Sequence, residues 1–145
     1  MKRTIWFDMD GTIANLYGVD NWLSMLIASD PTPYKAAAPM LNMNILARRL
    51  NKLQAAGWKI GIISWLSKTS TPEYDTAVTN AKLRWLNKHL ASVNWDVIHI
   101  VAYGTNKRAV CGDGILFDDE LNNRVTWGEG AYEPNEIFTI LKSLS

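Results

Sequence analysis

Apolar residues along this chain are grouped in two ways, and the two groupings predict different secondary structures. Short runs rich in apolar and β-branched residues predict buried strands at 4–8, 58–64, 97–101 and 115–119. Longer stretches repeat their apolar residues at helical spacing, which predicts helices from Asn44, from Thr71-Pro72 and from Pro134. Because strands and helices alternate, we expect an α/β fold with a parallel sheet and helices on both faces.

The helix that follows Thr71 has the clearest sequence pattern. Pro72 suits the first helical position, and Glu73 adds a negative charge in the first turn. We expect its apolar stripe to face the core and Lys82 to lie on a solvated face. The stripe consists of Tyr74, Ala77, Val78, Ala81, Trp85 and Leu86.

Shorter patterns predict the remaining boundaries. Gly57 suits the position just after the first of these helices, where a left-handed residue ends the helix. The segment from Gly104 to Arg108 predicts a turn that carries Lys107. The segment from Val125 to Trp127 predicts a short last strand.

Residues 13–42 have the least regular pattern, and we call this segment the insert. Apolar residues predict a short helix around 20–28, and two prolines between Asp30 and Tyr34 predict a break after it. The segment is too long for a tight loop and too short for a separate domain. We therefore interpret it as a minimal helical cap, or lid, over the end of the first strand.

The composition is that of a globular protein. The chain has 145 residues, which predicts one domain over 1–145, and its net charge of +1 indicates neither a nucleic-acid nor a membrane partner. The single Cys111 cannot form an intramolecular disulfide, which suits a reducing compartment. No apolar stretch is long enough for a signal peptide or a membrane helix. We therefore expect a soluble, cytoplasmic protein.

Two aspartates close the first predicted strand. Asp8 and Asp10 stand one residue apart, and Gly11 and Thr12 follow them in a tight turn. One interpretation is a polar turn whose carboxylates cap the next helix. The other is a pair of carboxylates that face a ligand crevice and, because they repel each other, require a cation or a proton.

Other chemically useful residues lie at the ends of the later strands. Parallel strands bring their carboxyl ends to one edge of a sheet, so Ser64, Lys107, Asp118 and Asp119 are expected to meet the first two aspartates. Several carboxylates suit Mg²⁺, and a lysine and a hydroxyl suit phosphate oxygens. The combination predicts phosphoryl transfer, with one carboxylate as nucleophile and its neighbour as general acid and base. Lys82 and Lys68 are rivals of Lys107 for the phosphate-binding role.

Together these segments resemble the four motifs of the haloacid dehalogenase-like (HAD) phosphatase superfamily. The motifs are Asp8 to Thr12, Ser64, Lys107 and Asp118-Asp119, in that order and over nearly the whole chain. The resemblance implies a three-layer, Rossmann-like HAD core with a parallel sheet and a minimal helical cap insert. The dehalogenating members lack the second aspartate, so Asp10 favours a phosphatase or phosphotransferase.

The resemblance also implies a role for each residue. Asp8 would be the nucleophile and a Mg²⁺ ligand, and Asp10 the general acid and base and a Mg²⁺ ligand through its backbone carbonyl. Ser64, Lys107 and the backbone N–H groups of Met9 and Asp10 would bind the phosphoryl group. Asp118 would bind the metal directly. Asp119 would either bind it through a water molecule or orient Lys107.

Within the superfamily, the last two-thirds of the chain is similar to the 5′(3′)-deoxyribonucleotidase family. The residues that carry this similarity are Gly57, Ser64, Lys82, Trp85-Leu86, His89, Lys107, 115–119 and Asn122. The resemblance implies hydrolysis of a deoxyribonucleoside monophosphate or a similar small phosphate. Trp65, Tyr17, Trp22 and Tyr34 would either stack on a nucleobase or pack in the core and lid.

Two alternatives remain open at the level of sequence. The short insert would admit larger substrates, so a phosphatase of polynucleotide ends is one alternative, although the chain has no basic excess. A binding module that uses the HAD scaffold without catalysis is the other, since a fold alone does not guarantee activity.

Overall fold

A computed structural model describes residues 3–145, and its centre is a five-stranded parallel sheet. The strands pair in the spatial order β5-β4-β1-β6-β7, with β1 in the middle. Their bounds are β1 Thr4–Phe7, β4 Lys59–Trp65, β5 Val97–Val101, β6 Ile115–Phe117 and β7 Ala131–Tyr132. The predicted α/β class with a parallel sheet is confirmed.

Helices cover both faces of this sheet. On one face, Ile5 and Phe7 pack with apolar side chains of the helices that begin at Met43 and Ile137 and with Trp85 and Leu86 of the helix that begins at Pro72. On the other face, Trp6 packs with Trp127, and Cys111 lies at the edge of that cluster. The helices are α3 Met43–Ala55, α4 Pro72–His89, α5 Lys107–Cys111, α6 Leu121–Trp127 and α7 Ile137–Leu144. Over residues 3–145, none of the helices combines the length and the apolar composition that a membrane crossing requires.

The predicted helix boundaries are largely confirmed. The side chain of Thr71 accepts a hydrogen bond from the backbone N–H of Tyr74 at 3.1 Å, so Thr71 caps α4. Asn42 caps α3 in the same way, one residue before the helix begins. Gly57 follows α3 with a φ of 103°, which is the left-handed conformation that glycine adopts at this position.

The insert is built from two short helices and two short strands. Strands β2 Ala14–Asn15 and β3 Ala38–Pro39 pair antiparallel at its base. Between them lie α1 Trp22–Ile27 and α2 Thr32–Ala36. The predicted helix around 20–28 is confirmed as α1, whereas the predicted break at 30–34 is wrong in part. It begins as a turn, in which Asp30 accepts hydrogen bonds from Thr32, and then continues as α2.

Two further predictions are wrong. Residues 125–127 form the end of α6 and not a strand, because Val125 is 68% exposed and offers no apolar face to a sheet. The fifth strand is β7, two residues long, which follows Gly130 in the left-handed region. Lys107 opens helix α5, where the prediction had a turn, because Asn106 caps that helix through the N–H of Ala109 at 3.0 Å.

Candidate active site

The carboxyl ends of the two central strands bring three aspartates together. Asp8 follows β1 and Asp118 follows β6, and the N–H of Asp8 donates to the carbonyl of Phe117 at 2.9 Å. One carboxylate oxygen from each of Asp8, Asp118 and Asp119 lies within 4.8 Å of the other two. We call these three residues the acidic cluster. The predicted convergence at one edge of the sheet is therefore present in the structure.

Lys107 joins two members of the acidic cluster. Its Nζ donates to Asp8 Oδ1 at 2.9 Å and to Asp118 Oδ2 at 2.6 Å, and its side chain is 2% exposed. The position at the start of α5 directs the lysine toward the sheet edge. A buried ammonium between two buried carboxylates is stable only while both partners remain in place.

Thr12 and Gly11 support the cluster from the loop that follows β1. The Thr12 hydroxyl donates to Asp8 Oδ2 at 2.9 Å, so both oxygens of Asp8 have hydrogen-bond partners. Gly11 has a φ of +81°, and a Cβ at this position would collide with the carboxylate of Asp119. The sequence therefore needs glycine here for both conformation and space.

Helix α6 supports Asp118 from the other side. The side-chain amide of Asn123 donates to Asp118 Oδ2 at 3.1 Å, and the N–H of Glu120 donates to Oδ1 at 2.9 Å. Arg124 donates to the backbone carbonyl of Asp118 at 3.0 Å. Asp118, which is fully buried, is thus fixed through both carboxylate oxygens and its main chain.

The electrostatics of the acidic cluster favour a bound cation. Burial raises the pKa of Asp118 to about 6 and the pKa of Asp119 to about 8, and the Asp8 charge adds to both shifts. Burial acts to lower the pKa of Lys107, but Asp8 and Asp118 outweigh it and leave that pKa raised. The single ammonium does not neutralise three carboxylates, so a cation or protons must supply the rest.

These residues fit a divalent metal ion. Three carboxylates with oxygens in mutual reach form the hard-oxygen donor set that Mg²⁺ takes in proteins. The carboxylates are held by Thr12, Asn123 and Lys107, which is the outer support that metal ligands require.

Asp10 lies beside the cluster but has a different environment. Its Oδ2 accepts a hydrogen bond from Lys82 Nζ at 2.9 Å. Burial raises the pKa of the Asp10 carboxyl, although Lys82 opposes this rise. A raised pKa suits a carboxyl group that acts as a general acid.

The position of Lys82 contradicts its predicted placement on a solvated face. The residue is 1% exposed, and its Nζ also donates to Ser64 Oγ and to the carbonyl of Trp65, both at 2.6 Å. The prediction was wrong because the inward side of α4 faces a polar corner of the sheet edge, where buried oxygens can partner an ammonium. Ser64 is likewise fully buried.

A cavity of about 530 Å³ opens directly above the acidic cluster. Its floor contains Asp8, Asp10, Lys107, Asp118 and Asp119, whereas Ser64 and Met9 are not among its lining residues. The predicted catalytic and metal-binding aspartates thus share one cavity with the predicted phosphate-binding lysine. The role of Ser64 as a phosphate ligand stays a prediction, since the residue is buried and does not line the cavity.

The upper walls of the cavity are mainly apolar and aromatic. Trp65 packs against Tyr103 with ring centroids 5.0 Å apart, and its indole N–H donates to the carbonyl of Thr105. The insert supplies the opposite wall, where Tyr17 and Trp22 pack edge to face at 4.9 Å. Helix α1 contributes further apolar side chains that remain exposed, Leu23 at 54% and Ile27 at 66%.

Asn123 was not identified from the sequence, and the supporting roles of Thr12 and Lys82 were not predicted, although Thr12 belongs to the first motif and Lys82 was a candidate phosphate ligand. Thr12 stands four residues after Asp8, and Asn123 five residues after Asp118. Lys82 stands in phase with the buried Val78 and Leu86 on α4, which is the sequence feature that marks it as inward-facing.

A comparison with protein-family models gave no match, and neither did a comparison with curated protein sequences. Solved structures do match. The D,D-heptose 1,7-bisphosphate phosphatase from Burkholderia thailandensis has a TM-score of 0.59 and 13% identity, over 98% of this chain and 97% of that one. The corresponding phosphatase from B. bronchiseptica, complexed with magnesium and phosphate, has a TM-score of 0.55 and 14% identity, over 99% of this chain and 98% of that one. The chain therefore shares the α/β fold of these phosphatases, with a parallel sheet between layers of helices.

Proposed function

We propose that this protein is a Mg²⁺-dependent phosphomonoesterase that forms a phosphoryl-enzyme intermediate on Asp8. The observation that carries the proposal is the acidic cluster with Lys107 between Asp8 and Asp118, on the floor of an open cavity. A structurally similar phosphatase that holds magnesium and phosphate supports it at the level of fold.

In the proposed first step, a carboxylate oxygen of Asp8 forms a bond to phosphorus, and the bond between phosphorus and the ester oxygen breaks. Asp10 gives its proton to the departing alkoxide, which leaves as an alcohol. In the second step, Asp10 takes a proton from water, and the water oxygen bonds to phosphorus. The bond between phosphorus and Asp8 then breaks, which releases phosphate and restores both carboxyl groups.

The other residues bind and orient the phosphoryl group. Lys107 and the backbone N–H groups of Met9 and Asp10 would bind its oxygens, with Ser64 as a further predicted ligand. Mg²⁺ would be held by Asp8, Asp118, Asp119 and the backbone carbonyl of Asp10, and when bound it would neutralise charge on the phosphoryl group.

We further propose a nucleoside monophosphate, in the first place a deoxyribonucleotide, as the substrate. Aromatic rings of Trp65, Tyr103, Tyr17 and Trp22 line the cavity above the cluster, and such rings stack on a nucleobase. Apart from Lys107, Lys68 is the one cation among the described lining residues, which suits a single phosphate better than a polynucleotide backbone.

Phosphate release from a substrate panel tests this function. The panel contains an aryl phosphate, the nucleoside and deoxynucleoside monophosphates, a sugar bisphosphate and a 5′- or 3′-phosphorylated oligonucleotide. Each is assayed with Mg²⁺ and with a chelator. Asp8→Asn is the test variant, and Asp20→Asn, at an exposed aspartate, is the matched control.

We expect Mg²⁺-dependent release that is fastest with deoxynucleoside monophosphates, abolished in Asp8→Asn and retained in Asp20→Asn. Activity that survives Asp8→Asn or chelation would refute the mechanism. A clear preference for the bisphosphate or the oligonucleotide would retain the phosphatase but refute the nucleotide assignment.

A further inference from the structure

We propose that Lys82 is a positioning residue for proton transfer, which holds the Asp10 carboxyl so that it faces the ester oxygen of the substrate. The inference rests on the proposed function, because it concerns the group that protonates the leaving alcohol. Lys82 is not among the residues that line the cavity, so it would act through Asp10 and not on the substrate.

The hydrogen bonds of Lys82 account for every donor that it has. A lysine ammonium has three N–H groups. Nζ has three oxygen acceptors, on Asp10, Ser64 and the Trp65 backbone, at 2.9, 2.6 and 2.6 Å. The side chain, 1% exposed, therefore has a fixed position and no spare donor for another ligand.

The anchors of this ammonium belong to regular secondary structure, whereas the group that it holds lies in a loop. Ser64 and Trp65 belong to strand β4, and Lys82 itself lies in the middle of helix α4. Asp10 lies in the loop that follows β1, where its carboxyl has no such framework. The ring of Tyr34, from the insert, covers the ammonium with its centroid 5.1 Å from Nζ. The loop carboxyl is thereby tied to the sheet and the helix.

The hydrogen bond also determines which oxygen of Asp10 carries a proton. Because Lys82 donates to Oδ2, that oxygen is an acceptor, and a proton on the carboxyl is carried by Oδ1. One oxygen is thus used for orientation, and the other remains for acid and base catalysis. Packing does not demand a lysine here, since burial of an ammonium carries a desolvation cost that a methionine would avoid.

The test compares substrates with different leaving groups. A general acid matters for an alkyl phosphate, whose alkoxide leaves poorly, and hardly for a dinitrophenyl phosphate, whose phenolate needs no proton. The measured quantity is kcat/KM for each ester, because it reports the phosphorylation step. The variants are Lys82→Met, Asp10→Asn as the benchmark, and Lys88→Met, at an exposed lysine on the same helix, as the matched control.

We expect Asp10→Asn to lose about 100-fold or more on the alkyl ester and little on the dinitrophenyl ester. Lys82→Met should show the same selectivity, with a loss in kcat/KM on the alkyl ester that is at least about tenfold larger than its loss on the dinitrophenyl ester. A mispositioned acid is only partly effective. Lys88→Met should match the wild type on both esters.

Equal losses on both esters in Lys82→Met would overturn the inference, because they would indicate a purely structural role. An unchanged kcat/KM on both esters in Lys82→Met would overturn it as well. Lys82→Gln, which keeps a polar side chain at the same buried site but has no charge and a shorter reach, gives a second answer if Lys82→Met does not fold. A selective loss on the alkyl ester would support positioning, and an equal loss on both would contradict it. Failure of every variant and of the wild type to hydrolyse any ester would refute the proposed function instead.

Discussion

The replacement Lys107→Met tests the electrostatic account of the acidic cluster. Methionine has nearly the length of lysine but no charge, so it would fill the space and leave Asp8 and Asp118 without their shared donor. Both carboxylates are buried, and the two hydrogen bonds that they would lose measure 2.9 and 2.6 Å. The variant therefore isolates the charge from the packing.

Loss of one partner from a buried ion pair costs about 3–5 kcal/mol, because the remaining charge is buried without compensation. With a urea m-value of about 2 kcal/mol/M, the unfolding midpoint of the metal-free variant should fall by about 2 M. Asp118 offers partial relief, since its pKa is already raised to about 6 and would rise further without the ammonium.

The pH dependence has a definite sign. A carboxyl whose pKa is raised in the folded state stabilises the fold at low pH and loses that contribution as the pH rises through the raised value. The deficit of Lys107→Met relative to the wild type should therefore be larger at about pH 8 than at about pH 5. Added Mg²⁺ should reduce the deficit, because the ion supplies positive charge at the same carboxylates.

Urea unfolding in the presence of a chelator and of Mg²⁺, at both pH values, measures these effects. Lys88→Met is the control, since this lysine is exposed and should shift the midpoint by less than about 0.5 kcal/mol. A variant as stable as the wild type at high pH without metal would refute the reasoning. A deficit that is independent of both pH and Mg²⁺ would indicate lost packing and not lost charge.

Three further predictions concern the same site. Gly11→Ala should lower stability and weaken Mg²⁺ binding, because the new Cβ would displace the carboxylate of Asp119. Titration calorimetry measures the Mg²⁺ affinity, and an unchanged affinity would contradict this prediction. The melting temperature of the metal-free wild type should fall from about pH 5 to about pH 8, since Asp118 and Asp119 have raised pKa values and lose protons over that range. Mg²⁺ should restore the melting temperature at the higher pH, and a flat profile would contradict the pKa shifts. Leu23→Ser together with Ile27→Ser should raise KM for nucleotides severalfold with little change in kcat, because these exposed residues line the cavity and do not belong to the acidic cluster. An unchanged KM would remove these two residues from substrate binding.

The fold could be predicted from the chain because its local patterns agree with its tertiary structure. The strand that begins at Lys59 is apolar from Ile60 to Ile63, as suits a parallel strand buried on both faces, and Thr71-Pro72 opens α4 as its capping pattern predicts. The failures come where local and tertiary preferences conflict. Residues 125–127 contain β-branched side chains, yet they form a helix because Trp127 packs on the sheet and its neighbours face solvent.

The candidate site was predictable for residues with charge at a strand end. Asp8, Asp10 and Asp118 follow buried strands directly, and topology alone brings them together. Lys82 was considered as a phosphate ligand but placed on a solvated face, because a lysine in an amphipathic helix is usually solvated, and only its contacts across the sheet edge show otherwise. Asn123 depends in the same way on how α6 packs beside β6, which no local pattern specifies.

The insert illustrates what a sequence pattern leaves open. The apolar residues around 20–28 predict a helix with an apolar face, and no residue of that helix is buried. They line the mouth of the cavity, so their apolar character suits a ligand as well as it suits a core. Whether such residues face a core or a cavity depends on distant contacts, which the sequence does not encode locally.

The most direct test of the central claim is to look for a phosphoryl group on Asp8. Asp10→Asn is mixed with dinitrophenyl phosphate and Mg²⁺, quenched in acid, digested and mapped by mass spectrometry. The good leaving group allows the first step, and the missing base slows the second, so the intermediate should accumulate. We predict one phosphoryl group on the peptide that contains Asp8, and none when Asp8→Asn is also present. Continued release of the phenol without a phosphorylated peptide, at a rate unchanged by Asp8→Asn, would contradict the account.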